Sequence, residues 1–472
     1  MGFLLMPLDW FHRRAEGSPS LSRRSLLRLA AGGVVGMSLP HCLALAGKSG
    51  PARAKNVLVI LEQGGLSHID TWDPKPLQIS DHRSPYRPIS TRVPGMQFTE
   101  LLAKTAHVAD KLAVVRSMHH ARAGADAHPN GTQYALSGSH PSGALEMPDI
   151  GSIASHLLGS SCKYLPPYIM VPGNNEQAAE TRQGFLPTAT KVFKTGGRDL
   201  SDPGWKIDGL VARAENRGDR LANRRRLQLS LRDQSADDLS MGQFYDQAFD
   251  ILASPKVSEA FDLRREPSRV RERYGPGHRG ACYLMGRKLI EAGTRFATID
   301  TRWPQTKDTP RGGNLNWDHH DFIYAKETCE LPGASGAGAG RYGIGHYVMM
   351  GSVDRAFSAL IGDLDERGLL AETLVCFVTE FGRTPKINTS KGRDHWTHAY
   401  SIVFAGAGVP GGQVIGRSDK EGGYVLEQAH TPEDYAATVY EKLGIDRDKP
   451  LYTAGNRPVY FGHAGEPIPE LM

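Results

Sequence analysis

Clusters of side chains able to bind metals or anions follow four apolar segments of the chain. Their members are carboxylates, imidazoles, guanidinium groups, a hydroxyl and an amide: Glu62, His68, Asp70, His128, Asn130, Thr132, Asp318, His320, Glu380, Arg383, Arg393 and His395. Carboxylate oxygens and imidazole nitrogens are the ligands of hard and borderline divalent metals, and a site needs them from several segments at once. A single cluster is equally typical of a charged surface loop. Four clusters, each after an apolar run, favour a metal or anion site.

The apolar runs that precede these clusters predict a sheet that would bring them together. Runs such as "NVLVIL", "KLAVVRSM", "LVCFVT" and "YSIVFAG" are typical of strands buried on both faces. Helical patterns lie between them, and in residues 353–364 the apolar positions recur at helical spacing. We expect a three-layer α/β/α sandwich with a mainly parallel central sheet. In such sheets ligands bind outside the carboxyl ends of the strands, where the four clusters would lie.

The N-terminal segment, residues 1–46, predicts export rather than a folded domain. It carries the twin arginine Arg23 and Arg24, an apolar run shorter than the ~20 residues that span a bilayer, and the small-residue site "ALA" at 44–46. This layout is typical of a signal read by the twin-arginine export machinery. We expect cleavage after Ala46, no stable membrane span in the mature chain, and a periplasmic or secreted location.

The remaining chain, residues 47–472, is predicted to form one domain with little net charge. The signal segment holds five arginines and two acidic residues, a net of +3, so its removal takes the formal charge from +5 to +2. A nearly neutral protein is not typical of those that bind nucleic acid. The stretch near 205–280 is charged and helical in pattern, which predicts a helical insertion in this domain.

Three motifs in the chain resemble those of a known family. The stretches "GGLSHIDTWDPKP", "EFGRTP" and "GRDHW" are similar to the exported family called domain of unknown function 1501, which resembles the alkaline phosphatase–sulfatase superfamily. The metal ligands that this resemblance implies are Glu62, His68, Asp70, Asp318, His320, Glu380 and His395. Glu380 stands where the superfamily carries Asp, and Phe381 stands where it carries the next ligand. His128 falls at the nucleophile position, and Thr132 is the nearest hydroxyl.

Two functions fit these residues. The first is an exported metal-dependent hydrolase of phosphate or sulfate esters, with zinc, calcium or magnesium as cofactor and an anionic small-molecule or polysaccharide ester as substrate. Arg383, Arg393 and Asn130 would bind the anionic group, while the metal and His128 would activate a water in place of a hydroxyl such as that of Thr132. The alternative is a non-catalytic envelope protein that binds metal or an anionic polysaccharide on the same fold. A structural envelope protein would leave the four clusters without a purpose.

Overall fold

A computed structural model describes most of the chain from residue 54 onwards. The described residues are 54–120, 124–141, 145–173, 180–196, 198–207, 217–230, 246, 249–251, 254–302, 315–318, 320–321, 323–324 and 343–472. The predicted signal segment, 1–46, lies outside them, and so do parts of the predicted helical insertion.

An eight-stranded sheet forms the centre of the described part of the chain. Its strands are β1 (Asn56–Leu61), β2 (Leu112–Met118), β3 (Tyr168–Val171), β4 (Phe193–Lys194), β5 (Phe296–Ile299), β6 (Thr373–Val378), β7 (Tyr400–Ala405) and β8 (Gln413–Ile415). They lie in the order β8–β2–β7–β6–β1–β5–β3–β4, and β7 runs antiparallel to both of its neighbours. The other adjacent pairs are parallel. The predicted α/β fold with a mainly parallel sheet is therefore confirmed.

Helices cover both faces of this sheet. They are α1 (His128–Ser137), α2 (Ile150–Leu158), α3 (Arg217–Ser230), α4 (Pro255–Ala260), α5 (Ser268–Tyr274), α6 (His278–Glu291), α7 (Ser352–Glu366) and α8 (Pro432–Leu443). Helices α6 and α7 share one apolar cluster with Ile60 and Phe377 of the sheet, whereas α1, α2 and α8 share a second with Val57 and Phe404. Because successive strand residues face opposite sides, the two clusters lie on opposite faces, which gives the three expected layers.

Shorter elements connect the layers. Two-stranded ribbons pair Pro88–Ser90 with Gln97–Thr99, Gly382–Arg383 with His395–Trp396, Arg417–Ser418 with Val425–Glu427, and Leu451–Tyr452 with Pro458–Val459. Short helical turns occupy Glu100–Leu102, Thr105–Lys111, Thr188–Thr190, Leu263–Arg265, Tyr347–Gly351 and Pro469–Leu471. Helices α3, α4 and α5 lie in the segment for which an insertion was predicted. Within the described ranges, every helix is too short or too polar to cross a bilayer.

The carboxyl edge of the sheet gathers the polar segments that matter for chemistry. Strands β6, β1 and β5 are neighbours, and they end at Val378, Leu61 and Ile299. The residues that follow β6 and β1 include Glu380 and Glu62, so both carboxylates start from one edge. This arrangement follows from the parallel pairing, which aligns the carboxyl ends of all three strands.

Candidate metal centre

Three imidazole rings converge on a single carboxylate oxygen at this edge. The Oδ1 atom of Asp318 lies 2.9 Å from Nε2 of His128, 2.9 Å from Nε2 of His320 and 3.1 Å from Nε2 of His395. The Nε2 atoms of His320 and His395 are themselves 3.0 Å apart. We call these four residues the Asp318 cluster. Three of them, His128, Asp318 and His395, each offer a ligand atom within 4.8 Å of the other two.

Each histidine of the Asp318 cluster is held on its other nitrogen by an oxygen acceptor. The Nδ1 of His128 lies 2.6 Å from Oε1 of Glu380, and the Nδ1 of His320 lies 3.1 Å from Oδ1 of Asp394. The Nδ1 of His395 lies 2.5 Å from the carbonyl oxygen of Asp126. Since these oxygens only accept, we assign the proton to Nδ1 in all three rings, which leaves the Nε2 lone pairs directed into the cluster. Metal-binding histidines are oriented in this way.

The surroundings of the His128 Nε2 atom show whether the cluster fits a metal ion. It lies 2.9 Å from Asp318 Oδ1, yet it is buried and has no aligned hydrogen-bond partner. Two ligands bound tetrahedrally at about 2.0 Å would lie about 3.3 Å apart, close to the separations observed. The donor set and its spacing therefore fit a divalent ion.

The local fold positions each member of the cluster. His128 is the first residue of α1, whereas His395 lies on the ribbon whose other strand, Gly382–Arg383, begins shortly after the end of β6 at Val378. Asp318 is fixed through its neighbour Trp317, whose backbone N–H donates to Gln63 just beyond β1 over 3.0 Å. That close approach requires Gly64, because a Cβ at this position would lie 2.3 Å from the Trp317 nitrogen. Gly64 also has a φ of +113°, which other residues rarely adopt.

Glu380 orients His128 instead of facing the cluster as a ligand. Its carboxylate accepts from Nδ1 of His128 at 2.6 Å, from the backbone N–H of Gly64 at 2.8 Å and from the Thr379 hydroxyl at 3.1 Å. Burial opposes the charge on Glu380, but its bonds to His128 and Gly64 hold the pKa of the carboxyl below its usual range. These contacts fit a second layer around the metal site, in place of the ligand role expected from the sequence.

The two arginines predicted to bind an anion are committed to the protein itself. The Arg383 guanidinium is fully buried and donates to Asp318 Oδ1 at 3.1 Å and to the carbonyl oxygens of Gly64, Gly65, Trp317 and Arg393. Arg393 is also fully buried and donates to Asp70, Tyr324 and the carbonyl oxygens of His82, Thr384 and Pro385. This geometry does not fit an anion-binding role. Arg383 instead holds Asp318 in place.

The three residues after β1 that the sequence predicts as metal ligands bond to other groups, not to the Asp318 cluster. Glu62 accepts from the Tyr283 hydroxyl at 2.7 Å, from Arg279 at 3.1 Å and from the Trp317 indole at 2.7 Å, so it anchors the segment that carries Asp318. His68 bonds through Nε2 to the Gly422 carbonyl at 2.7 Å. Asp70 accepts from Ser67, Tyr324 and Arg393 in a buried network. These partners give all three residues structural roles. The metal ligands that the sequence predicts after β1 are therefore not part of the Asp318 cluster.

The two remaining predicted residues lie on α1 and do not contact the Asp318 cluster. Thr132 is fully buried, and its hydroxyl accepts from the Gln63 amide at 3.3 Å. Asn130 is exposed and donates to the carbonyl of Gly124 at 3.1 Å. The hydrogen bonds of these two side chains therefore link them to Gln63 and Gly124, not to a member of the Asp318 cluster.

Asp394 and Asp126 orient two of the three histidines, and sequence reasoning assigns neither of them a role. Asp394 stands directly before His395 in "GRDHW", so its position in that motif was an available signal. Asp126 acts through its backbone carbonyl, for which side-chain identity carries no signal. Phe381 was noted only as a replaced ligand. The centroid of its ring lies 5.1 Å from that of His128 and 4.6 Å from that of His395, so the ring packs against the cluster.

The carboxylates of the site outnumber its arginine. Asp318, Glu380 and Asp394 contribute −3 and Arg383 contributes +1, which leaves −2 when the histidines are neutral. Without an ion, protons compensate. Burial opposes charging of His128, but the nearby carboxylates of Asp318 and Glu380 raise its pKa to about 9. Burial likewise opposes the charge on Asp318, yet the histidines hold the pKa of its carboxyl far below the usual range.

Comparison with known proteins gives a family and weak structural likenesses. A phosphonate monoester hydrolase of Agrobacterium radiobacter is 11% identical to this chain and has a TM-score of 0.40. The match covers 88% of this chain and 77% of the hydrolase chain. The PsFucS1 sulfatase from Pseudoalteromonas sp. is 12% identical, with coverages of 91% and 73% and a TM-score of 0.35. The zinc complex of the C-terminal periplasmic domain of EcEptC from Escherichia coli is 11% identical, with coverages of 87% and 86% and a TM-score of 0.34.

Likenesses this weak carry no argument about the activity of this chain. No curated protein matches its sequence. One family model matches residues 54–472, which is nearly the whole chain outside the predicted signal segment. The match includes all three motifs and every residue of the Asp318 cluster. The chain therefore belongs to the family described as "Protein of unknown function (DUF1501)".

Proposed function

We propose that this chain is an exported, metal-dependent hydrolase of phosphate or sulfate esters. One observation carries the proposal: three Nε2 atoms surround the Oδ1 of Asp318 at 2.9–3.1 Å while an oxygen holds each Nδ1. Structural histidines in a core seldom need three separate acceptors that all direct their lone pairs to one point. The arrangement is that of a preorganised ligand set.

The ligand atoms of the cluster narrow the choice of metal ion. Calcium and magnesium prefer oxygen ligands, whereas imidazole nitrogens suit zinc and other first-row transition ions. His128 and His395 supply nitrogen and Asp318 supplies oxygen within one group, and Nε2 of His320 lies 2.9 Å from the Asp318 oxygen as a further nitrogen donor. Of the three ions considered from the sequence, zinc fits this set best, and catalytic zinc sites with three or four such ligands are common.

The residues of the chain would bind and orient, while the ion would supply the chemistry. A bound divalent ion polarises an ester oxygen and lowers the pKa of water at the site towards neutrality. Arg383 and Glu380 keep Asp318 and His128 in place before substrate arrives. His320 has the most exposed side chain of the cluster, at 37%, so substrate would approach past this ring. His128 takes a ligand role here in place of the general base expected from the sequence.

Hydrolysis by direct attack of water fits better than a covalent route through Thr132. The Thr132 hydroxyl is fully buried and accepts from the Gln63 amide at 3.3 Å, so it is not open to a substrate that arrives from solvent. The same burial, together with the internal pairing of Arg383 and Arg393, favours a second candidate function. In that alternative the chain binds a metal or an anionic polysaccharide in the envelope without turnover.

The experiment that separates these functions measures metal and turnover on the same protein. Residues 47–472 are purified, the bound metals are quantified by plasma mass spectrometry, and aryl phosphate, phosphodiester, phosphonate and sulfate esters are assayed with and without EDTA. The hydrolase proposal expects about one zinc per chain and turnover that EDTA abolishes. A His395→Ala variant should lose both, whereas His463→Ala, which replaces an exposed imidazole, should lose neither. Zinc without turnover of any ester supports the metal-binding form of the alternative, and a protein that holds no divalent metal contradicts both the hydrolase and that form.

A further inference from the structure

A small cavity formed by residues 74–88 has basic residues but no acidic residue in its lining. Its volume is about 260 Å³, and we call it the basic cavity. Four prolines, a serine and a tyrosine line it together with three cations, Lys75, Arg83 and Arg87. Two larger cavities, of about 540 and 490 Å³, are each lined by three basic and three acidic residues, so their charges cancel. The basic cavity differs from both because its lining carries positive charge alone.

The carboxylate that pairs with Lys75 also pairs with a second cation. The Lys75 ammonium lies 3.0 Å from Oδ1 of Asp73, and the Arg116 guanidinium lies 3.5 Å from the same oxygen. One negative charge is therefore set against two positive charges, and Asp73 does not line the cavity. The side chain of Lys75 is only 13% exposed, so water screens its charge less than that of a surface lysine.

The other two cations of the lining have a single carboxylate between them. Arg87 donates to Oε2 of Glu100 at 3.2 and 3.3 Å, but Arg83 makes no ion pair with any residue that the structure describes. Two carboxylates thus face four cations in these contacts, which leaves a net charge of +2. Asp81 is the one acidic residue between positions 74 and 88; it does not line the cavity, and its charge would still leave +1.

The chain around the cavity is ordered without a ligand. The four prolines of the lining have a fixed φ, which limits the conformations of the loop. The buried Arg393 donates to the carbonyl oxygen of His82 at 3.0 Å and holds the loop from outside. Ser84 is 7% exposed, and its hydroxyl accepts from the N–H of Tyr86 at 3.3 Å, which leaves the hydroxyl proton for a further acceptor. Donors on an ordered backbone lose little conformational freedom when a ligand binds, and that favours binding.

We propose that the basic cavity binds a free sulfate or phosphate ion. Ammonium, guanidinium and hydroxyl groups are the donors that oxyanions bind, and a dianion would balance the net charge of +2. The cavity is smaller than the sites of about 300–1,000 Å³ that hold drug-sized ligands, so it suits the free ion better than a sugar that carries it. None of the lining residues belongs to the Asp318 cluster, so the site goes beyond the proposed function and depends on neither metal nor turnover.

The test measures the binding of sodium sulfate and sodium phosphate to metal-free protein by calorimetry. Residues 47–472 are treated with EDTA and dialysed, so that no metal at the Asp318 cluster binds the anion, and sodium chloride keeps the ionic strength constant. A single ion should bind per chain, and glucose 6-phosphate should bind more weakly than phosphate because the sugar exceeds the cavity. Arg83→Gln should weaken the affinity about tenfold or more, because it removes a charged donor from the lining.

Two comparison variants make the outcome decisive. Arg457→Gln replaces another exposed arginine that lies outside the cavity and has no ion pair within the described ranges, so the affinity should stay at the wild-type value. His395→Ala should abolish zinc binding and leave the affinity for the ion unchanged, so a failed hydrolase proposal can be told apart from a failure of this one. The proposal is overturned if neither ion binds in the presence of chloride, if glucose 6-phosphate binds as tightly as phosphate, or if Arg83→Gln and Arg457→Gln behave alike.

Discussion

Removing the His128 imidazole should change how the stability of the metal-free protein depends on pH. In the fold, burial opposes its charge, but Asp318 and Glu380 raise its pKa from 6.5 to about 9. A difference of about 2.5 pH units corresponds to ~3 kcal/mol at 1.36 kcal/mol per unit. Because the folded-state pKa is the higher one, this stabilisation is fully present below about pH 6.5 and is lost as the pH rises through about 9.

The measurement is urea denaturation of EDTA-treated protein between about pH 6 and about pH 9. Wild type should lose ~3 kcal/mol of unfolding free energy over this interval, and His128→Gln should lose much less. The control is His463→Gln, which replaces an imidazole with 45% exposure and should keep the slope of wild type. Equal slopes for wild type and His128→Gln, or a gain of wild-type stability at high pH, would refute the charge assignment in the Asp318 cluster.

The stabilisation that saturating zinc adds should have the opposite pH dependence. The ion binds only the neutral imidazole, so protons compete with it throughout the range in which His128 is charged. The stabilisation that zinc adds over the metal-free protein should therefore increase as the pH rises towards about 9. A zinc effect that does not depend on pH would mean that the ion binds elsewhere.

Three further predictions rest on contacts in the fold, and a fourth rests on the signal segment. Glu62→Gln should destabilise the fold by ~3–5 kcal/mol in urea denaturation, because it leaves the buried Arg279 without its carboxylate, and an unchanged free energy of unfolding would contradict this structural role. Glu380→Gln should keep one metal per chain but weaken its affinity about 10–100-fold in chelator competition, whereas complete loss would make Glu380 a ligand. Thr132→Ala should retain most of any esterase activity, and abolished turnover would restore Thr132 as the nucleophile. N-terminal sequencing of exported protein should begin at Gly47, and replacing both arginines of the signal by lysine should block export; a mature form that keeps residues 1–46 would contradict this.

The architecture could be predicted from the sequence because local patterns encode it. The apolar runs at β1, β6 and β7 are buried on both faces, and the helical spacing at 353–364 is buried along one side of α7. Parallel pairing then places the carboxyl ends of β1, β5 and β6 on one edge, so the sequence alone indicated where polar clusters would meet. Within those clusters, the resemblance to a known family also singled out Asp318, His320 and His395 as metal ligands.

The role of each side chain in the site was decided by tertiary structure alone. Glu380 and His128 are 252 positions apart, and no spacing rule reveals that one orients the other. Arg383 and Arg393 looked like anion ligands because they follow a strand, yet the fold surrounds both with carbonyl oxygens that use their donors. Sequence patterns report which edge of a sheet a residue occupies. The direction of its side chain depends on the packing of distant segments, which only the folded chain determines.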